Sequence, residues 1–277
     1  MNVHPTAIVS PRAEIDESVE IGPYAIVEDD VRIGAGTRIM AHAVIRRYTT
    51  IGENNSIHFG AVIGDDPQDV SFRPEVRSTV EIGRNNRIRE YVTIHRGTKE
   101  GGRTIIGDGN FLFAQSHVAH DVQLGNHIVL ANSAALGGHV KVGDRAFISG
   151  GVMIHQFTWI GRLAMLSGNS AFSRNVPPFA TALGQNLYGT VNVVGLRRTG
   201  IPRETMREIR RAYEIFYSSS GSVAEALAEI EAAGFVSNEV KELVDFIRNS
   251  KRPIIYDYRR RKGYQELQFP EDEGERE

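Results

Sequence analysis

An aliphatic residue recurs at every sixth position over long stretches of this sequence. In one unbroken run the members are Ile106, Leu112, Val118, Leu124, Leu130, Leu136, Val142, Ile148, Ile154, Ile160 and Leu166, with Phe172 at its end. A period of six fits neither an amphipathic helix nor a two-sided strand, and it is typical of a parallel β-helix built from hexapeptide rungs. Three such rungs would form one coil of a triangular prism, with every aliphatic side chain inside.

The same spacing runs from Val3 to Ile63 and is then interrupted twice. The first interruption contains two prolines and several acidic residues, and the second contains three glycines. We therefore expect the β-helix to span residues 1–188, with loops extruded from it near residues 65–78 and 97–103. Loops on a rigid solenoid often carry binding groups.

Beyond Pro177 and Pro178 the apolar period changes to that of α-helices. Ser222 and Glu225 have the spacing of a capping box, and Ser237 is placed to cap a further helix. This pattern predicts a small helical domain over residues 189–264. The acidic composition of residues 265–277 predicts a solvated, disordered tail.

Composition excludes several classes of chemistry. The chain of 277 residues has no cysteine, so a thiolate nucleophile, a thiolate metal site and a disulfide framework are all excluded. Its formal net charge of -2 argues against nucleic-acid binding. The N-terminus lacks the pattern of a signal peptide and no stretch has the length of a membrane span, so we predict a cytoplasmic protein.

Histidines concentrate where the repeat is most regular. Positions 18 apart should lie above one another at the strand spacing of about 4.8 Å, which places His120, Gly138 and Gln156 in one column. Three further histidines flank this column: His117, His139 and His155. Two kinds of site remain open on this basis. A metal site would use three imidazoles as ligands, whereas an acyl-transfer site would use one neutral imidazole as general base.

Several motifs together resemble those of the UDP-N-acetylglucosamine O-acyltransferase (LpxA) family. They are Asn85–Glu90, Thr93–Gly97, His117–Asp121, Gly137–Val140, His155–Phe157 and Val176–Pro178, and the resemblance extends to about residue 262. It implies an all-β left-handed parallel β-helix followed by a small C-terminal α-helical domain, an exception to the usual right-handed crossover. It also implies a homotrimer with active sites between subunits, which performs the first acylation of lipid A biosynthesis.

The resemblance assigns chemical roles to the column. His120 would be the general base, Asp121 would orient it, and the backbone N–H of Gly138 would stabilise the oxyanion. The sugar would attack the thioester of an acyl carrier protein directly, so no cofactor or metal is expected beyond the phosphopantetheine that the carrier brings. Gly168 lies where the family sets acyl-chain length, and we expect a long 3-hydroxyacyl donor.

The resemblance also assigns residues to the UDP-sugar. These are Gln68, Asp69, His117, His139, His155, Gln156, Asn192 and Arg198. Two positions depart from the family pattern, because Ser71 replaces a lysine and Thr199 replaces an arginine. Family members without that lysine include some that acylate a 3-amino analogue of the sugar, so an amine acceptor is an alternative hypothesis.

Six arginines and two glutamates lie between Arg197 and Arg211. A basic helical face of this kind suits an acidic acyl carrier protein. Three rival interpretations remain: the N-acyltransferase of the next acylation step, a zinc enzyme of the gamma carbonic anhydrase type, and a solenoid without catalytic activity.

Overall fold

The computed structural model describes residues 2–258, so the tail expected at 265–277 and the end of the predicted helical domain lie outside the described residues. Short strands form three sheets, and nearly all strand pairs are parallel. The twelve-stranded sheet contains β1 Asn2–Val3, β4 Glu20–Ile21, β7 Arg38–Ile39, β10 Ser56–Ile57, β13 Arg87–Ile88, β16 Phe111–Leu112, β19 Val129–Leu130, β22 Phe147–Ile148, β25 Met165–Leu166, β27 Ala180–Leu183, β28 Leu187–Val191 and β29 Tyr256–Asp257.

The other two sheets complete the triangular cross-section. The nine-stranded sheet contains β2 Ile8–Val9, β5 Ile26–Val27, β8 Val44–Ile45, β11 Val62–Asp65, β14 Thr93–His95, β17 His117–Val118, β20 Ala135–Leu136, β23 Met153–Ile154 and β26 Ala171–Phe172. The eight-stranded sheet contains β3 Glu14–Ile15, β6 Arg32–Ile33, β9 Thr49–Ile51, β12 Thr79–Ile82, β15 Arg103–Ile106, β18 Gln123–Leu124, β21 Lys141–Val142 and β24 Trp159–Ile160.

The register of the sheets follows the sequence repeat. Val3 pairs with Ile21 and Ile21 pairs with Ile39, each 18 residues further along the chain. The repeated aliphatics point inward, and Ile57 and Leu130 are completely buried. These features confirm the predicted left-handed parallel β-helix with a small helical part after it.

Two segments leave the coils. Ile63 pairs with Ile94, 31 residues along, so 13 more residues than one coil needs are inserted between β11 and β12. Ile82 pairs with Ile106, 24 residues along, so six extra residues are inserted between β14 and β15. We call these segments the first loop (residues 66–78) and the second loop (residues 96–102).

The end of the β-helix is covered by a strand pair and helices. β27 and β28 are antiparallel, unlike the coils before them. The helices are α1 Val193–Arg198, α2 Arg203–Ser218, α3 Val223–Ala232 and α4 Asn238–Asn249. Ser222 forms the expected capping box and Ser237 caps α4, whereas Pro202 occupies the N-cap of α2 and not its first helical position. No helix within residues 2–258 is long and apolar enough to cross a lipid bilayer.

Three contacts fasten the helices to the last coils. The Tyr213 hydroxyl donates to the carbonyl oxygen of Pro178 at 2.6 Å. The Arg162 guanidinium forms a forked ion pair with Glu242, with N···O distances of 2.8 to 3.1 Å. The rings of Trp159 and Phe246 lie 4.2 Å apart. The helices are therefore anchored to the prism by hydrogen-bonded, ionic and apolar contacts together.

The outward faces of two sheets differ in polarity. On the nine-stranded sheet, apart from Thr93 and His117, the outward residues are apolar: Ile8, Ile26, Val44, Val62, Ala135, Met153 and Ala171. On the eight-stranded sheet they are mostly polar: Glu14, Arg32, Thr50, Glu81, Ile105, Gln123, Lys141 and Trp159. An extended apolar face suits burial against another protein surface.

Candidate active site at a corner of the β-helix

The histidine column lies at the corner that follows strands β17, β20 and β23. Val118 pairs with Leu136, and Leu136 pairs with Ile154, so the next residues turn the corner one above another. The N–H of His139 donates to the His120 carbonyl at 3.0 Å, and the N–H of Phe157 donates to the Gly138 carbonyl at 2.8 Å. The structure thus brings His120 and Gly138 together on adjacent coils.

The imidazole of His120 occupies the space above Gly138. A Cβ atom at Gly138 would lie 2.3 Å from Cε1 and 2.6 Å from Nε2 of His120, closer than atoms can approach. Gly138 is therefore required by the space that the imidazole takes. The neighbouring N–H groups of Gly137 and His139 donate to carbonyls of adjacent coils. Within residues 2–258, the N–H of Gly138 has no such acceptor.

Asp121 orients the His120 ring. The two side chains are largely buried, and Nδ1 of His120 lies 3.0 Å from Oδ2 of Asp121. The same oxygen accepts hydrogen bonds from the backbone N–H of Thr98 at 3.0 Å and from its hydroxyl at 2.8 Å. Because Nδ1 donates to the carboxylate, Nε2 of the neutral ring carries the lone pair that can accept a proton.

The charge state of Asp121 follows from these bonds. Burial alone would raise the pKa of the Asp121 carboxyl, but hydrogen bonds from His120 and Thr98 outweigh burial and hold that pKa below its ordinary value. Asp121 is therefore an anion at neutral pH. An anion at this position can stabilise the imidazolium that forms when His120 takes a proton.

His139 lies beside this pair. Its ring stacks on Phe157 at 4.5 Å and meets the His120 ring edge-on at 5.2 Å. Its Nε2 is 3.8 Å from Oδ2 of Asp121. Burial lowers the pKa of His139, so the ring is mainly neutral at pH 7 and can both donate and accept hydrogen bonds.

His117 and His155 have different surroundings. Nδ1 of His117 is hydrogen-bonded to Oγ1 of Thr93 at 2.7 Å, and its ring lies 5.0 Å from that of His95. Burial, together with the charges of His95 and His120, lowers the pKa of His117 to about 4. His155 and Gln156 are exposed, and Nδ1 of His155 lies 3.1 Å from the Gln156 carbonyl oxygen.

A metal could be held by two imidazoles and one carboxylate at this corner. Ligand atoms of His120, Asp121 and His139 all lie within 4.8 Å of one another. A zinc centre of the carbonic anhydrase type requires three imidazoles. His117 is bonded to Thr93 and His155 faces a carbonyl oxygen, so neither completes such a set.

Gln68 and Asp69 lie on the first loop. Gln68 is exposed, and the Asp69 carboxylate accepts hydrogen bonds from the hydroxyl of Ser71 at 2.7 Å and from its backbone N–H at 2.8 Å. These bonds lower the pKa of Asp69, and the charges of His120 and His139 act in the same direction. The loop therefore stands near the histidine column, and Ser71 holds the Asp69 carboxylate in place.

Asn192 and Arg198 lie elsewhere on the chain. They line a cavity of about 610 Å³ with Phe147 and Met165 of the twelve-stranded sheet, and His120 is not among its lining residues. Asn192 also caps α1, because its Oδ1 accepts from the N–H of Gly195 and its Nδ2 donates to the Leu163 carbonyl, both at 2.9 Å. A single chain therefore does not bring these two residues to the histidine column.

Gly168 lies at an exposed turn and does not line that cavity. A Cβ atom at this position would first meet the carbonyl oxygen of Gly150 at 3.3 Å. The role in acyl-chain length that the sequence suggests for Gly168 stays a prediction.

Three partners of the site were missed by sequence reasoning. Thr98 donates to the Asp121 carboxylate, the Thr104 hydroxyl accepts from the Asp121 N–H at 2.8 Å, and Gly97 and Gly102 lie so close that a Cβ on either would be within 3.0 Å of Asp121 Oδ1. The second loop thus wraps the carboxylate. Its six extra residues break the count by eighteen, and only the glycines in its sequence indicated a close approach.

Comparisons with known proteins agree with this geometry. The family model described as "Udp N-acetylglucosamine O-acyltransferase; Domain 2" matches residues 175–255, and the bacterial transferase hexapeptide model matches residues 12–47 and 30–65. A protein of Thermodesulfovibrio yellowstonii named acyl-[acyl-carrier-protein]–UDP-N-acetylglucosamine O-acyltransferase is 47% identical over 91% of this chain and 98% of its own length. A protein of Halorhodospira halophila with the same name is 45% identical over 91% and 98%.

Solved structures show the same likeness. The structure of LpxA from Bacteroides fragilis matches with a TM-score of 0.88 and 43% identity, covering 91% of this chain and 99% of that one. LpxA from Acinetobacter baumannii matches with a TM-score of 0.88 and 36% identity over 91% and 99%. Fold, repeat and sequence identity over nearly the full length of these relatives agree, and the chain belongs to the UDP-N-acetylglucosamine O-acyltransferase (LpxA) family.

Proposed function

We propose that this protein transfers a 3-hydroxyacyl chain from the thioester of an acyl carrier protein to the 3-hydroxyl of UDP-N-acetylglucosamine, the first step of lipid A biosynthesis. The observation that carries the proposal is the His120–Asp121 pair held against the free N–H of Gly138. The names of the full-length relatives supply the substrates. The rival zinc and structural interpretations lack comparable support.

The chemistry needs a base and an oxyanion donor. Nε2 of His120 takes the proton of the sugar 3-hydroxyl while the oxygen attacks the thioester carbonyl carbon. The N–H of Gly138 donates to the carbonyl oxygen as it becomes negatively charged. The tetrahedral intermediate then releases the pantetheine thiolate, which takes the proton back from His120. No covalent intermediate on the enzyme and no cofactor of its own are required.

The remaining polar residues bind the UDP-sugar in this proposal. His117, His139, His155 and Gln156 surround the base at the corner, and Gln68 and Asp69 approach it from the first loop. Asn192 and Arg198 line a separate cavity, so they serve the same site only if a neighbouring subunit supplies them. A homotrimer with sites between subunits meets this need, and the apolar face of the nine-stranded sheet suits its interface.

The acyl donor requires two further surfaces. Phe147 and Met165 make the wall of the cavity apolar, which suits a long acyl chain near the position of Gly168. Arg203, Arg207, Arg210 and Arg211 of α2 are exposed, and within residues 2–258 Arg207 alone of these has an ion pair, with Glu204 at 3.6 Å. An exposed basic helix of this kind suits an acidic carrier protein. The cytoplasmic location stays a prediction.

Ser71 keeps a second acceptor in view. It replaces a family lysine, and its hydroxyl binds Asp69 where a cation would otherwise stand near the sugar. An amine at the 3-position of the sugar would then give an amide instead of an ester. The relatives that we compare are named O-acyltransferases, which favours the hydroxyl.

The test is an acyl-transfer assay of the purified full chain with 3-hydroxyacyl carrier protein and either UDP-N-acetylglucosamine or its 3-amino analogue. We expect ester formation with the hydroxyl sugar and a fall in kcat on the order of 10³-fold in His120→Ala, which removes the base. His4→Ala, an exposed histidine on the first coil, is the matched control. Unchanged turnover in His120→Ala would refute the mechanism, and a clear preference for the amine would replace the acceptor.

A further inference from the structure

One buried arginine contacts the first loop along its whole length. Arg96 follows β14, and its side chain is only 1% exposed. Its Nε and Nη2 donate to Oδ1 of Asp66 at 3.1 and 2.8 Å. Its remaining donors reach the carbonyl oxygens of Pro74 and Val76. The guanidinium therefore joins the beginning of the loop to its end.

Aromatic rings enclose the same guanidinium. Its central carbon lies 4.9 Å from the ring centroid of Phe72 and 5.7 Å from that of Tyr48. Phe72 belongs to the loop, whereas Tyr48 belongs to an earlier coil. A planar, delocalised cation can stack on rings and form a forked bond to a carboxylate at once, which an ammonium group cannot do. Arg96 thus packs the middle of the loop against the prism.

The loop that Arg96 fastens carries Gln68 and Asp69. The proposed function gives these residues to the UDP-sugar, and the charges of His120 and His139 already act on Asp69. The second loop holds the end of the first, where the N–H of Arg77 donates to Glu100 at 2.9 Å. The stretch from Asp66 to Val76 is fastened by Arg96.

We propose that Arg96 is a positioning residue for substrate binding: its buried guanidinium fixes the first loop so that Gln68 and Asp69 face the histidine column. This inference rests on the proposed function, because it concerns the sugar nucleotide of that reaction. Arg96 does not touch the reacting atoms, so its loss weakens binding of the UDP-sugar and leaves the base and the oxyanion donor in place. A substitution with this effect raises KM for the sugar while kcat stays nearly constant.

The main variants are Arg96→Met and Arg96→Lys, with Arg84→Met as the matched control, because Arg84 is exposed and paired with Asp108 away from the loop. In Arg96→Met we expect KM for UDP-N-acetylglucosamine to rise about tenfold or more, with kcat and KM for the acyl carrier protein changing less than about threefold. Arg96→Lys keeps the charge without the fork or the stacking, so it should restore only part of the affinity. Arg84→Met should match the wild type.

Limited proteolysis tests the anchoring without any assay of activity. Glu75 and Arg77 are exposed on the loop, and they provide cleavage sites for endoproteinase Glu-C and trypsin. We expect faster cleavage at these two positions in Arg96→Met, with the rest of the chain as resistant as in the wild type. Should the wild type form no ester, the proposed function fails, whereas the proteolysis result still decides whether Arg96 anchors the loop.

Two results would overturn the inference. One is equal protection of Glu75 and Arg77 in Arg96→Met and the wild type. The other is a parallel loss of Tm and of affinity for both substrates, which would mean a general effect on stability. Where Arg96→Met does not fold, Asp66→Asn decides in its place, because Asp66 is the partner on the loop and its side chain is 42% exposed. It must raise KM for the sugar and loop cleavage together.

Discussion

The interior of the prism and the corner at His120 are built from the same 18-residue coils, yet they are constrained in different ways. Inside, each position needs an aliphatic side chain, and isoleucine, leucine and valine alternate freely between coils. At the corner, each position is fixed by one particular neighbour, as Gly138 is by the His120 ring. The repeat supplies a stable scaffold, and the departures from it supply the chemistry.

The largest effect is expected where the corner is tightest. Gly138→Ala would place a methyl group 2.3 Å from the His120 ring, so the imidazole must swing away from its position. We expect kcat to fall on the order of 10³-fold, as if the base were removed, while Tm changes little. Gly150→Ala is the control, because a Cβ there meets nothing nearer than a carbonyl oxygen at 3.3 Å. Equal activities of the two variants would contradict the tight fit at Gly138.

The opposite result is expected inside the prism. Ile57 is completely buried in β10, several coils before His120. Ile57→Ala should lower the free energy of unfolding by about 2–5 kcal/mol through lost burial and a cavity, with kcat of the folded enzyme nearly unchanged. Chemical denaturation and a kinetic assay measure the two quantities, and Ile57→Val serves as the milder control. A large fall in kcat would show that the interior and the corner are not separable.

The smallest effect concerns pH. The pKa of His117 is about 4 in the folded chain, below its ordinary value of 6.5, because burial and neighbouring histidines disfavour the charged ring. The unfolded chain therefore binds the proton more readily, so stability present above pH 6.5 is progressively lost as pH falls towards 4. Tm should fall over this window, and less steeply in His117→Asn. Identical slopes, with His4→Asn as the exposed control, would argue against a buried neutral His117.

The parts that the sequence could predict are those that follow a regular count. The period of six identified the buried residues, and the period of 18 placed His120 beside Gly138. The same count would have placed Phe157 over His139, where the rings stack. Thr98 and Arg96 could not be found in this way, because insertions of 13 and six residues separate them from the regular coils and their contacts depend on how the loops fold back.

Resemblance to a family carried a different limit. It indicated Asn192 as a residue of the binding site, but both polar atoms of its side chain are engaged in capping α1 and in a bond to Leu163. A motif reports which residue type occurs at a position, whereas its hydrogen bonds depend on neighbours that lie far away in sequence. Leu163 is 29 residues before Asn192.

The fastening of the helices to the prism determines how an acyl chain can be delivered. Tyr213, Arg162 and Trp159 bind the helical part to the last coils through three independent contacts, so α2 has a fixed distance and direction from the corner. A carrier protein docked on α2 would find its berth already built. The span from that berth to His120 must then be crossed by the carrier's own flexible arm, and the length of that arm limits which docking positions are productive.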